Sequence, residues 1–286
     1  MKRFSKSWFD AVNSNRLAGE WSLDRGPRMP TMPWICPPLH PLIREFFVRY
    51  GSRVELKPGE YLFPTSQVTH FVYVERGLTG RIASTIEGQP SAAAMAYSPA
   101  KRLAAGNLNF ATRRPAIGRY LALSHAVLYT LPHAQADELL ESMPFSFSRR
   151  LFVQFEMNNL SDRLGFSVLS LLPALVRTKA LFLAWAVYFG QIYEESGRDY
   201  IRMPVPGRRK HIERVVNISS VTMDKISRLL HTEAEYVLDG DFMIFRADFL
   251  QDAHEWMRHG DGDNVLYPRP PRVEALLYGA QAGAYN

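Results

Sequence analysis

Arg209–Leu230 constrains this chain more than any other stretch, because one local arrangement satisfies both its apolar spacing and its turn chemistry. Ile212, Val215 and Val216 share one helical face, and Met223, Ile226 and Leu230 share another at steps of three and four. Between them, Asn217 tolerates positive φ, Ile218 supplies an aliphatic wedge and Ser219 offers a capping hydroxyl. The spacing predicts two short helices clamped across a tight turn. The outer face of the second carries Ser220, Val221, Thr222, Asp224, Lys225 and Arg228. From Arg202 to His231 there are seven Lys/Arg against two Asp/Glu, a balance that attracts phosphate. Such a pair can lay its second helix in a major groove, although the same pattern also suits a solvated basic face.

The rest of the chain must decide between those two readings. With 286 residues it is long enough for two modest domains, and 47% hydrophobic with 22% charged residues is ordinary for a soluble globular protein. The net charge of +6 suits an acidic partner. One cysteine, Cys36, excludes an intramolecular disulfide framework, a multi-cysteine zinc site and a four-cysteine iron–sulfur cluster within one chain. The basic N-terminus lacks the long apolar run of a secretory signal, and Ala180–Gly190 is too short to span a bilayer. A cytoplasmic protein without a membrane partner is expected.

Texture changes along the chain. Residues 1–40 are polar and punctuated by Pro27, Pro30, Pro33, Pro37 and Pro38, which forbid a continuous helix. From about Leu42 short strands are expected: Arg53–Phe63 broken at Pro58-Gly59, His70–Gly77, Thr79–Ile86, Arg119–Leu123 and Ala126–Leu131, then a helix over His133–Ser142. Strands at that spacing indicate an antiparallel barrel or sandwich. Val153, Met157, Leu160, Leu164, Val168 and Leu171 then recur at helical steps. That stripe suits a core helix or a seam between two chains, with Asn158 and Asn159 setting register. Pro173 breaks the helix, and Ala180–Gly190 reads as a buried one. Tyr236–Phe245 is a hairpin centred on Asp239-Gly240, placed as a wing directly after the second helix of the pair, and Ala247–His259 is helical.

Leu56-Lys-Pro-Gly-Glu-Tyr-Leu-Phe63, Phe71-Val-Tyr-Val-Glu-Arg-Gly77 and Ile212–Leu230, in this order, resemble the cyclic-AMP receptor protein / fumarate–nitrate regulator (Crp/Fnr) family of bacterial transcription factors over roughly residues 42–250. The resemblance implies an α+β chain with an N-terminal cyclic-nucleotide-binding-like antiparallel β-roll, a long dimerisation helix and a C-terminal winged helix-turn-helix. Its expected units are an extension at 1–40, the roll at 41–142, the dimerisation helix at 143–173, the DNA-binding domain at 174–255 and a tail at 256–286. It implies a homodimer on a pseudo-palindromic duplex site, with RNA polymerase as a further possible partner. The family's base-reading positions fall at Ser220, Val221 and Lys225. Ser219 and Thr222 suit phosphate contacts, and Arg208, Arg209, Lys210, Arg214 and Arg228 suit electrostatic positioning. Asp224 is expected to pair with Arg228 four residues on.

The effector site departs from the family pattern. Where the resemblance implies Gly-Glu-Leu, this chain has Gly106-Asn107-Leu108, and Ala116-Ile117 stands where an Arg-Ser pair should hold phosphate. Arg113, Arg114 and Arg119 are near enough in sequence to substitute if the loop is re-registered. Cyclic AMP is therefore expected to bind weakly or not at all, in a pocket that is vestigial, filled by side chains such as Phe110, or used for another small ligand. No cofactor is expected: His70, His125 and His133 could ligate a haem, but nothing in their spacing asks for one. A cupin-type metalloenzyme is disfavoured because no His-x-His occurs. A nucleotide sensor with a rearranged pocket, and a protein-interaction module that has left DNA, remain open alternatives.

Overall fold

The computed structural model describes residues 21–22, 26–27, 31–107 and 109–259. Leu108, most of the leader and nearly all of the tail lie outside the described residues.

After a short pair, β1 (Trp21–Ser22) and β2 (Gly26–Pro27), the chain forms α1 (Pro41–Tyr50) and then the strands of a roll. These are β3 (Ser52–Leu56), β4 (Gln67–Val68), β5 (His70–Arg76), β6 (Leu78–Ser84), β7 (Pro90–Pro99), β8 (Arg102–Ala105), β9 (Ala116–Ile117), β10 (Arg119–Ala122) and β11 (Ala126–Pro132). They pair as β3-β11-β5-β8, β10-β6-β7 and β4-β9, all antiparallel. Gly59, Gly77 and Gly88 turn the chain at positive φ where the sequence puts turns. α1 falls where strands were expected to begin. Pro41 opens it, His40 Nδ1 accepts from the Leu42 amide, and Ile43, Phe46 and Phe47 bury one face.

α2 (His133–Glu141), α3 (Phe145–Leu171) and α4 (Ala174–Phe189) follow, with the chain extended at Leu172-Pro173 between the last two. α4 is hydrophobic on nearly every side because it is the centre of the second lobe, with Leu181, Leu183, Ala184, Ala186 and Val187 fully buried. Around it lie β12 (Gln191–Glu195), β13 (Arg198–Pro204), α5 (Arg209–Val215), α6 (Ser220–Glu233), β14 (Val237–Asp239), β15 (Phe242–Arg246), a 3-10 turn at Ala247–Leu250 and α7 (Gln251–His259). The sheet order is β12-β13-β15-β14, so the hairpin after α6 joins a four-stranded sheet whose first two strands the sequence reading had missed.

The two lobes share one apolar cluster running from Met32 to Met257. Part of it is a strap, residues 31–39, wedged between the roll and α3. Ile35 bridges Tyr97 of β7, the Tyr97 amide donates to the Trp34 carbonyl at 3.2 Å, and Ser161 Oγ of α3 donates to the Met32 carbonyl at 2.5 Å. Trp34 seats against Gly165, where a Cβ would lie 2.6 Å from the indole. Tyr97 also reaches the second lobe, its hydroxyl donating to the Pro206 carbonyl at 2.9 Å and its ring meeting Trp185 edge-on.

Candidate nucleic-acid interface

α5 and α6 are set by the turn the sequence encodes. Asn217 has φ 51, and Ser219 Oγ caps α6 by accepting from the Thr222 amide at 3.2 Å. Ile212, Val215, Met223, Ile226 and Leu230 are buried, while Ile218 is half-buried against the same cluster. At the far end of α6, Glu235 accepts from Arg198 at 2.6 Å and from the Tyr200 hydroxyl at 2.5 Å, which ties the helix to the sheet. The Tyr200 bond foremost holds the Glu235 carboxyl below the usual range.

Several side chains expected to face DNA are used inside the motif. Arg209 Nε donates to Glu213 at 2.8 Å, and its Nη2 donates to the Ser220 carbonyl at 2.8 Å and pairs with Asp224 at 2.7 Å. Ser220 Oγ donates to Glu213 at 3.2 Å, and the Ser219 and Thr222 hydroxyls lie 3.0 Å apart. Asp224 therefore pairs with Arg209, not with Arg228. The turn at Asn217 sets α5 beside the start of α6, where Arg209 reaches Glu213, the Ser220 carbonyl and Asp224 together. Arg208, Lys210, Val221, Lys225 and Arg228 are exposed, and Arg214 is half-buried. Among the described residues, Lys225 and Arg228 make no ion pair. His211, buried behind this face, is pushed down to about 4 by burial and then by Lys210, Arg208 and Arg214.

α3 presents two stripes rather than one. Met157, Leu164 and Val168 are buried within the subunit, Val153 and Leu160 are half-buried, and Leu171 is exposed. The outward stripe is different: Phe145, Arg149, Phe152, Glu156, Asn159, Arg163, Phe166 and Ser170 are all exposed, at alternating steps of four and three. Phe145 and Phe166 are 80% and 71% exposed, high values for aromatic side chains. The inward stripe is the richer of the two in aliphatic residues.

In the roll, Gly106 has φ 101, with Phe71 packed where a Cβ would stand. Asn107 Nδ2 donates to Asn159 of α3 at 2.8 Å. The three arginines are drawn to different places. Arg113 pairs with Asp137 at 2.8 Å, Arg114 is exposed, and Arg119 donates to the Pro64 carbonyl at 3.1 Å and lies over the Tyr61 ring. Phe71, Phe110, Phe155 and His133 form a mutual ring cluster, with Phe71–Phe110 and Phe71–His133 centroids both 4.8 Å apart. Burial first, and His70 second, push His133 down to about 4. Among the described residues no group of three or more His, Cys, Asp or Glu is placed to hold a metal ion, and no helix is long and apolar enough to cross a membrane.

No family model and no curated protein matches the sequence. Solved structures do match in shape. FixK2 from Bradyrhizobium japonicum aligns with TM-score 0.54 and 12% identity, over 72% of this chain and 96% of its own. The c-di-GMP-responsive global regulator CLP of Xanthomonas campestris gives TM-score 0.53 and 14% identity, over 71% and 97%. OCPA-complexed CprK gives TM-score 0.51 and 13% identity, over 77% and 94%. The mixed fold of antiparallel strands and helices is thus one that this chain shares with these three proteins.

Proposed function

We propose that this chain is a sequence-specific DNA-binding transcription regulator, acting as a cytoplasmic homodimer and making contact with RNA polymerase, and that it is not an enzyme. The observation that carries the reading is α6: capped by Ser219, braced from behind by Arg209, and leaving Val221, Lys225 and Arg228 exposed on its outer face. Lys225 is the candidate base-reading cation, Val221 suits a thymine methyl, and Arg208, Lys210, Arg214 and Arg228 suit phosphates. Ser219, Ser220 and Thr222 contribute mainly by holding the helix. The dimer seam is assigned to the outward stripe of α3, with Phe145, Phe152 and Phe166 as its apolar contacts and Asn159 as its polar register mark.

Cyclic AMP is not its effector in this reading. Gly106 and Asn107 are committed to Phe71 and Asn159, and the three arginines have separate surroundings. The test is to map bound genomic fragments and titrate them at several salt concentrations. A regulator of this kind binds a two-fold site, and log affinity falls linearly with log salt. Absence of binding to every fragment in dilute buffer would leave an interaction module instead.

A further inference from the structure

A cleft of about 820 Å³ lies between the roll and the second lobe, within the size range of sites for drug-sized organic molecules. Leu78 and Leu123 of the roll form one wall, and Met223 and Leu230, on the inner side of α6, form the other. Charge is confined to a few lining residues. Arg208 and Arg209 contribute cations, and Asp241 the one acid. Arg209 is already balanced by Glu213 and Asp224, whereas Arg208 is exposed and has no ion pair among the described residues.

We propose that this cleft is a ligand site for an apolar molecule bearing a single carboxylate, the chemistry of a medium-chain fatty acid. The hydrocarbon part lies between Leu78, Leu123, Met223 and Leu230, and the carboxylate meets the Arg208 guanidinium. A neutral molecule of the same shape forfeits that charge-assisted contact, and a cation meets repulsion. The site is separate from the interior of the roll, where Val68, Val72, Val74 and Leu128 pack together, and from the outer face of α6. An occupant touches the roll with one side and the back of α6 with the other, so it bears on how the two lobes sit together. The inference goes beyond DNA binding and does not depend on it.

Calorimetry on the full chain tests it, with decanoate below its micelle concentration as the probe and decanamide and decylammonium as charge controls. The expected result is one saturable decanoate site per chain, about tenfold weaker binding of decanamide and no binding of decylammonium. Arg208→Gln should reduce decanoate to the affinity of decanamide and leave decanamide unchanged. Leu78→Trp should fill the cleft and remove both. Should that variant fail to fold, Ser124→Trp, at a half-buried position on the same wall, makes the same test. No saturable binding, a preference for decylammonium, or binding indifferent to Arg208→Gln and Ser124→Trp would overturn the proposal. Each of these readouts is taken without DNA, so failure of the regulator reading leaves them intact.

Discussion

With its guanidinium divided among Glu213, Asp224 and the Ser220 carbonyl, Arg209 has little left to offer a phosphate. Arg209→Ala should lower the thermal midpoint of the chain and weaken DNA binding only as the α5–α6 pair loosens. Lys225→Ala, at an exposed site without an ion pair, should leave the midpoint unchanged and weaken binding by about 1–3 kcal/mol, with relaxed preference at one base position. Melting curves and anisotropy titrations of the two variants separate brace from reader; equal melting behaviour would contradict the division. His133 and His211 set a second expectation. Both have folded-state pKa values near 4, below the ordinary 6.5. Between those values the unfolded chain takes up protons that the native chain refuses, so stability is intact above pH 6.5 and falls as pH drops toward 4. His133 sits among phenylalanine rings, so His133→Phe should flatten part of that slope in urea midpoints measured from pH 7.5 to 5. An unchanged slope would show that His133 is not its source.

At the scale of elements, α3 carries the most instructive difference between pattern and fold. Its aliphatic stripe suited both an internal and an intermolecular contact, since a period of three and four does not say which surface lies opposite. The strap covers part of the inward face, with Trp34 against Gly165 and the Met32 carbonyl on Ser161. Phe152→Glu on the outward stripe should yield a subunit that sediments as a monomer with unchanged circular dichroism. Met157→Ala, by contrast, should cost stability, by about 2–5 kcal/mol for a buried methionine. Trp34→Ala should cost about 3–5 kcal/mol in chemical denaturation, because the indole fills the hollow at Gly165. Most roll strands, the helix pair and its turn, and the wing were legible from alternation, Pro-Gly turns and the Asn217-Ile218-Ser219 sequence. α1 was not, because the apolar residues of so short a decapeptide, of which Ile43, Phe46 and Phe47 are buried, mimic a strand unless Pro41 is taken as a helix opening. β12 and β13 were hidden by charged, exposed faces; for the strap, Trp34 signalled that part of the leader packs on the body, but the prolines left no pattern to say where. At the candidate interface the exposed cations could be read from sequence. The internal use of Arg209, Ser220 and Asp224 could not, since it depends on how α5 crosses α6.

Across the whole molecule, the contact between lobes is broad in apolar terms, since Trp34, Tyr97, Trp185 and Ile212 belong to a common cluster. The Tyr97 hydroxyl reaches the Pro206 carbonyl, and the Arg102 guanidinium lies over the Tyr188 and Phe189 rings. Tyr97→Phe should keep the packing and lose that bond, at about 0.5–1.5 kcal/mol of stability. Domains joined through open linkers come apart in separate heating steps, each with its own enthalpy. Here one apolar cluster holds Ile82, Tyr97 and Leu123 of the roll together with α4 and α5, so scanning calorimetry should record a single endotherm whose van't Hoff and calorimetric enthalpies agree.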